Sequence, residues 1–304
     1  MRTCLVVGAS GFIGRHVMAS EQVFARDLGV KLVASGDEID VRDAAAVREL
    51  VRAHAPSYVL HLAAVSFVPD SIADPGATYQ INFIGTLNLL AALIEERFSG
   101  SVLFVSSAEV YGSVAESELP IRETRAYAPR TPYAVSKAAG ELLCKQHVLS
   151  GKLDVRVVRP FNVIGAGQSS KFAVSSFARQ IAAIERAGGG NLAVGNLDVT
   201  RDFVDVGDAV AAFAAVLRAG QCGETYNVCS GRETRLDALL TQLIAAANVP
   251  VQVVVDPARV RPAEQRRVCG SHEKLTATTG WQPRVSLDAS LRSVLHDWRT
   301  REGT

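Results

Sequence analysis

Tyr133-Ala134-Val135-Ser136-Lys137 sets a phenol and an ammonium four residues apart, so a helix through them carries both on one face. A free tyrosine ionises near pH 10 and exchanges protons poorly at neutrality, at about three units' remove. A neighbouring lysine charge favours the phenolate and brings the phenol within reach of acid–base work. Such a pair suits a reaction in which a carbonyl or an alcohol exchanges a proton, with Lys137 also free to hold ribose hydroxyls. The same spacing occurs on ordinary surface helices, so its meaning depends on what precedes it. Here an apolar run, Val102–Val105, ends in Ser106-Ser107 just ahead of the pair.

A second constellation stands at the start of the chain. Gly8-Ala9-Ser10-Gly11-Phe12-Ile13-Gly14 follows the short apolar run Cys4–Val7 and opens a helical pattern that runs to about Arg26. In such a turn the first glycine permits the bend and the second lets the backbone approach a pyrophosphate. The third lets helix and strand pack closely. The spacing is GxxGxxG, and its place after a first strand is what gives it weight as a dinucleotide site. The second strand ends in Ala34-Ser35-Gly36-Asp37-Glu38, which does not separate NAD(H) from NADP(H). Arg15, able to meet a 2′-phosphate or simply to face water, tips the balance toward NADP(H).

These groups need a frame, and the pattern supplies one. Strand-length apolar runs at Cys4–Val7, Lys31–Ala34, Tyr58–Leu62, Val102–Val105 and Val155–Val158 alternate with amphipathic helices at Ala44–His54, Asn82–Glu96 and Pro132–Leu149. Such alternation predicts an α/β fold, a doubly wound Rossmann parallel sheet covered on both faces. After Arg159-Pro160-Phe161-Asn162 the rhythm changes to a glycine-rich loop and mixed short elements. The expected division is a cofactor-binding domain over 1–162 and a smaller C-terminal α/β substrate-binding lobe over 163–304, some of whose segments return to the main sheet.

Composition closes off other classes. Of 304 residues 48% are hydrophobic and 21% charged, and the net charge of +1 gives no basis for a nucleic-acid partner. No stretch approaches the roughly 20 apolar residues of a membrane span, and the first apolar run is too short for a signal segment. The five cysteines form no CxxC pair, which points to buried thiols, a cytoplasmic location and no metal site. His61 reads as a packing or turn residue.

Further segments make the chain resemble the extended short-chain dehydrogenases/reductases that act on nucleotide sugars. They are His61-Leu62-Ala63-Ala64, Asn82 with Gly85-Thr86, Ser106 through Gly112, Arg159-Pro160-Phe161-Asn162, Arg201 through Val206, and Tyr226-Asn227-Val228. The likeness spans nearly the whole chain. Asp256–Gly270 and Thr279-Gly280-Trp281-Gln282-Pro283 make it most similar to the branch that reduces GDP-linked 4-keto-6-deoxy-hexoses. The resemblance implies reduction of the C4 keto group of GDP-4-dehydro-6-deoxy-D-mannose to GDP-D-rhamnose. Ser107 would hydrogen-bond the C4 oxygen, Tyr133 would protonate it, and Lys137 would hold the ribose. Asp40 and Val41 would sit by the adenine, with Leu62, Ala63 and Ala64 along the cofactor. Asn162, Arg201, Arg261 and Glu264 would bind the nucleotide-diphosphate half. Forked guanidinium donors suit a diphosphate, and a carboxylate suits the adjacent N–H groups of guanine. The resemblance also implies a homodimer, with Asn82–Glu96 and Pro132–Leu149 pairing across a two-fold axis as a four-helix bundle.

Glu109 leaves the direction of chemistry open. In related dehydratases a glutamate at this spot removes the sugar C5 proton, and such a step requires a buried, poised carboxylate. The alternative is that Glu109 only lines the pocket. A GDP-mannose 4,6-dehydratase, a 4-epimerase and a reductase forming the C4-epimeric talose sugar therefore stand beside the rhamnose-forming reductase. A dinucleotide sensor without chemistry is the reading from another class; the intact Ser107, Tyr133 and Lys137 speak against it.

Overall fold

The computed structural model describes residues 2–36, 39–260 and 265–301. The apolar runs become strands β1 (Thr3–Val7), β2 (Lys31–Ala34), β3 (Tyr58–His61), β4 (Ser101–Val105) and β5 (Asp154–Pro160). Beyond them lie β6 (Asn162–Ile164), β7 (Gly190–Val194), β8 (Thr200–Asp205), β9 (Thr225–Val228), β10 (Glu233–Arg235) and β11 (Val251–Val255). The helices of the first half are α1 (Phe12–Ala19), α2 (Glu21–Leu28), α3 (Ala44–His54), α4 (Val68–Ala73), α5 (Pro75–Tyr79), α6 (Gly85–Glu95) and α7 (Pro132–Leu149). Those of the second are α8 (Ala173–Ala187), α9 (Val206–Ala219), α10 (Leu236–Ala245), α11 (Glu273–Thr279) and α12 (Leu287–Arg301).

Six strands form one parallel sheet in the order β2-β1-β3-β4-β5-β9. Side chains alternate across it. Cys4 and Val6 join Phe24 and Phe213 in one core, while Leu5 and Val7 join Leu89 and Leu93 in the other. Both faces are thus covered, which is the doubly wound fold the sequence implied. The order reverses between β1 and β3, so a crevice opens outside their carboxyl ends, where such sheets take ligands. The edge strand β9 comes from beyond residue 162 and pairs in parallel with β5, Val157 opposite Thr225.

The remaining strands form two small sheets, β10-β8-β6 and β11-β7, among the described residues. They share a core with α8, α10 and α12 around Phe177, Ile181, Leu192, Leu239 and Leu291. Strands β6, β8 and β10 and helix α11 carry too little apolar pattern to be expected from sequence. In β8 the reason is visible: Asp202 is fully buried, and its carboxylate accepts from the backbone N–H groups of Ser230 (2.7 Å), Gly231 (3.0 Å) and Gly270 (3.1 Å). A polar residue here does the anchoring that an apolar one would do in an ordinary strand.

Two expectations need correction. The helix expected to run from the glycine turn to Arg26 is broken at Ser20, whose φ of −104° and ψ of 25° leave helical geometry between α1 and α2. The helix expected from Asn82 instead begins at Pro75, where Asp74 caps it by accepting from Ala77 N–H at 2.9 Å. It passes through a π turn, Gln80–Ile84, into α6. The run Pro75–Glu95 has 21 residues, and an 18-residue window of it has a mean hydropathy of 1.3, which meets the length and composition of a membrane span. Its inner face is packed, however, with Leu89, Leu90 and Leu93 in the core with residues of α3.

Candidate active site

Helix α7 begins where the sheet ends. Thr131 caps it through Ala134 N–H (3.2 Å), and Pro132 fills a first-turn position that needs no donor. Tyr133 therefore stands in the first turn, at the crevice, 7% exposed. Its own N–H donates to Ser71 Oγ at 3.2 Å. Gly140 lets the helix lie close to the sheet, since a Cβ there would stand 2.6 Å from the Phe104 ring. Asn82, buried in the π turn, receives Val65 N–H (2.8 Å) and donates to Val65 C=O (3.0 Å) and Ser136 Oγ (2.9 Å). That side chain ties the loop after β3 to the middle of the Tyr133–Lys137 turn.

Ser107, Tyr133 and Lys137 are brought together as the sequence suggested. Ser107 is buried just past the end of β4, near the Tyr133 phenol, and accepts from Glu109 N–H at 3.2 Å. Lys137 donates to the Val105 carbonyl at 2.7 Å, 5.2 Å from the centre of the Phe104 ring. Burial pulls the ammonium down to about 8, against the charge of Glu141. The phenol moves the other way, to about 12: burial raises it, the Ser107 hydrogen bond opposes, and the Glu109 charge adds to the rise. The expected lowering of Tyr133 by Lys137 is therefore not what the structure gives. The ammonium is spent on a carbonyl, and desolvation governs the phenol.

Glu109 lies in a short 3₁₀ turn, Ala108–Tyr111, and is exposed, so it lacks the burial expected of a proton-abstracting carboxylate. His61 is buried and neutral. Burial, with the charge of Lys137, drives its pKa to about 3, and its Nε2 lies 2.9 Å from Thr86 Oγ1.

Most of the cofactor-binding candidates follow the carboxyl ends of β1, β2 and β3. Gly8 has φ +92°, and a Cβ on it would fall 2.6 Å from Ala63 N. Gly14 would place one 2.2 Å from Gly8 O, so the first and third glycines serve the chain's own packing. Gly11 is different. The nearest protein atom to its Cβ position is Gly8 O at 3.4 Å, an open cradle at a helix N-terminus that fits a pyrophosphate. Phe12 and Ile13 begin α1 beside it, and Leu62 N–H and Ala63 N–H both donate to Val7 C=O, with Ala64 following half-buried. Val41 is buried against Gly85, and its carbonyl accepts from Asn88 at 3.0 Å. Asp40 is exposed and held down to about 2 by Arg42 (2.6 Å). Arg15 donates to the carbonyls of Ser10 and Gly167, which binds α1 to the loop after β6.

In β6 Asn162 donates to Asp202 C=O at 3.0 Å, and in β8 Arg201 donates to the carbonyls of Thr200 (2.7 Å) and Gln265 (2.9 Å). Arg261 and Glu264 lie outside the described residues. Among the described residues no three His, Cys, Asp or Glu side chains are grouped to hold a metal ion.

One arrangement escaped sequence reasoning. Glu141 and Arg159 form a buried ion pair at 2.6 Å directly below Lys137. The available signal was the continuation of the four-residue interval from Tyr133 through Lys137 to Glu141.

The parallel sheet, the glycine cradle and the Ser107–Tyr133–Lys137 group define a nicotinamide-dependent oxidoreductase of the short-chain dehydrogenase/reductase class. The sequence model of the GDP-mannose 4,6 dehydratase family matches residues 33–294, and the chain belongs to that family. It is 45% identical to the GDP-6-deoxy-D-mannose reductase of Pseudomonas aeruginosa over 97% of each chain. It is 31% identical to a dTDP-glucose 4,6-dehydratase of Xanthomonas campestris over 98% of this chain and 93% of that one. The solved structure of RMD from Pseudomonas aeruginosa complexed with NADPH superposes with a TM-score of 0.93 at 43% identity, covering 99% of this chain and all of that one (100%).

Proposed function

We propose that this protein reduces the C4 keto group of GDP-4-dehydro-6-deoxy-D-mannose to GDP-D-rhamnose with NAD(P)H. The observation that carries the reading is the grouping of buried Ser107, Tyr133 and Lys137 where β4 ends and α7 begins. Burial keeps Tyr133 protonated, so its proton is available once negative charge develops on a C4 oxygen beside it. The 45% identity to a reductase named for a GDP-6-deoxy-hexose supports the substrate class. The solved relative with NADPH supports the choice of NADP(H).

When bound, the nicotinamide supplies the hydride. Ser107 hydrogen-bonds the C4 oxygen, Tyr133 gives it a proton, and Lys137 holds the ribose. Gly8, Gly11 and Gly14 with Phe12 and Ile13 receive the pyrophosphate, and Asp40, Val41, Leu62, Ala63 and Ala64 flank the rest of the cofactor. Asn162, Arg201, Arg261 and Glu264 hold the nucleotide-diphosphate half. This assigns cofactor binding chiefly to residues 1–162 and substrate binding to 163–304. The protein works in the cytoplasm, a reading supported by its five free thiols, four of them buried.

It works as a homodimer. Val135, Leu142 and Leu149 recur at intervals of seven on α7 and are exposed, as are Tyr79 and Leu87 on the Pro75–Glu95 run. Two apolar stripes on neighbouring helices suit an isologous four-helix bundle.

The second reading is dehydration of GDP-mannose, favoured by the charge of Glu109 acting on Tyr133. One pair of assays separates the two. With GDP-4-dehydro-6-deoxy-D-mannose the protein is expected to consume NADPH stoichiometrically. Formation of the 4-keto-6-deoxy sugar from GDP-mannose alone, with no net use of added NADPH, overturns the reductase.

A further inference from the structure

Beneath the reacting groups, α7 carries one more polar residue in the same stripe. Glu141 is 2% exposed. A buried carboxylate is costly unless its lone pairs are filled. This one accepts from Ser106 Oγ, from Arg159 Nε (2.9 Å) and Nη2 (2.6 Å), and from the Tyr127 hydroxyl (2.9 Å). The Arg159 guanidinium in turn lies between two aromatic rings, 4.7 Å from the centre of Tyr111 and 5.0 Å from that of Tyr127.

The partners are placed at both ends of one segment. Ser106 immediately precedes Ser107, and Tyr111 closes the 3₁₀ turn that carries Glu109. The ion pair therefore grips Ser106–Tyr111 at its start by a hydrogen bond and at its end by a ring contact. It does so from the helix that bears Tyr133 and Lys137. A network so fully satisfied is rigid, and small displacements of reacting groups cost much rate.

We propose that Glu141 is a positioning residue for the reduction: through Ser106 and Arg159 it fixes Ser107 in register with Tyr133 and Lys137. The inference rests on the reductase reading above. Beyond this mechanical role, the charge of Glu141 bears directly on Lys137, the reacting group one turn away on its own helix. Lys137 is faced by Glu141 and Cys144 from its own helix, by His61 from β3, by the Phe104 ring and Val105 carbonyl from β4, and by Arg159 of β5 behind Glu141. His61 is neutral, and burial keeps the Cys144 thiol neutral as well. Glu141 is the anion of this set. Removing its charge leaves Arg159 uncompensated and lowers the pH at which Lys137 loses its proton.

The test uses Ser106→Ala and Glu141→Gln in the full chain, assayed with GDP-4-dehydro-6-deoxy-D-mannose and NADPH across pH and followed by thermal melting. Ser106→Ala keeps the ion pair and cuts its link to the catalytic segment. Its kcat is expected to fall about tenfold, with KM for NADPH and the alkaline limb of the pH profile unchanged and Tm lower by only a few degrees for the lost buried hydrogen bond. Glu141→Gln is expected to lower kcat and move the alkaline limb to lower pH, and Glu141→Asp to return the limb toward its original place. Should Glu141→Gln not fold, Ser106→Ala decides alone. Wild-type kcat in Ser106→Ala, or an unmoved alkaline limb in folded Glu141→Gln, overturns the proposal. Absence of turnover in the wild type is a different outcome and overturns the reductase reading instead.

Discussion

Helix α7 presents two stripes that invert the usual distribution of residues. On the inner one Tyr133, Lys137 and Glu141 are polar, buried and hydrogen-bonded, spaced by four. On the outer one Val135, Leu142 and Leu149 are apolar and exposed, spaced by seven. Scattered exposed apolar residues mean little, whereas buried charge and a contiguous apolar stripe each ask for a cause. The inner stripe is explained within one chain, because every polar group there has a partner or a reacting role. The outer stripe is what the proposed second copy would cover. On that proposal a single helix joins chemistry to assembly, and variants on its two sides should separate them.

The largest effect is expected on the inner side. Tyr133→Phe removes the proton donor and keeps the ring. The turnover number should drop by about 10²- to 10⁴-fold while NADPH binding, followed by fluorescence titration, stays close to wild type. A drop of less than tenfold would mean that another group, Glu109 first among them, carries the proton. Next comes the packing of the same face. Gly140→Val must push against the buried Phe104 ring beneath Lys137 and should cost about 1–3 kcal/mol in urea denaturation. An unchanged midpoint would show that the helix can stand off from β4. The smallest effect on turnover belongs to the outer side. Leu142→Glu sets a charge in the stripe and should convert dimer to monomer in sedimentation velocity, with kcat near the wild-type value. A monomeric wild type would remove the reason for the stripe altogether.

Much of the frame could be read from the sequence because its signals are local. Five buried strands, the glycine turn and α7 carry periodicity that survives without tertiary context. Ser107, Tyr133 and Lys137 were legible because each follows a recognisable element end. The small sheets were not. Strand β8 hides behind Arg201 and Asp202, whose polarity makes sense only once three distant backbone N–H groups reach the carboxylate. The direction of the Tyr133 shift was misread for a related reason. Sequence spacing brings Lys137 near, but it says nothing of the Val105 carbonyl that claims its charge, nor of how dry the phenol becomes. The Glu141–Arg159 pair joins residues eighteen positions apart on different elements, and spacing along one helix could suggest only half of it.

The π turn at Gln80–Ile84 has a consequence for how this chain tolerates change in length. A π turn amounts to one additional residue within an α-helix, and each residue advances the helix by about 100°. Removing one residue from this turn would leave an unbroken α-helix. It would also rotate everything beyond it by that angle, carrying Leu89, Leu90 and Leu93 off α3 and Asn88 away from the Val41 carbonyl. Residues 80–84 thus act as a phase setting. They let one continuous rod keep Asn82 turned toward α7 at one end and the Val41 loop pinned at the other, and a single deletion there would detune both at once.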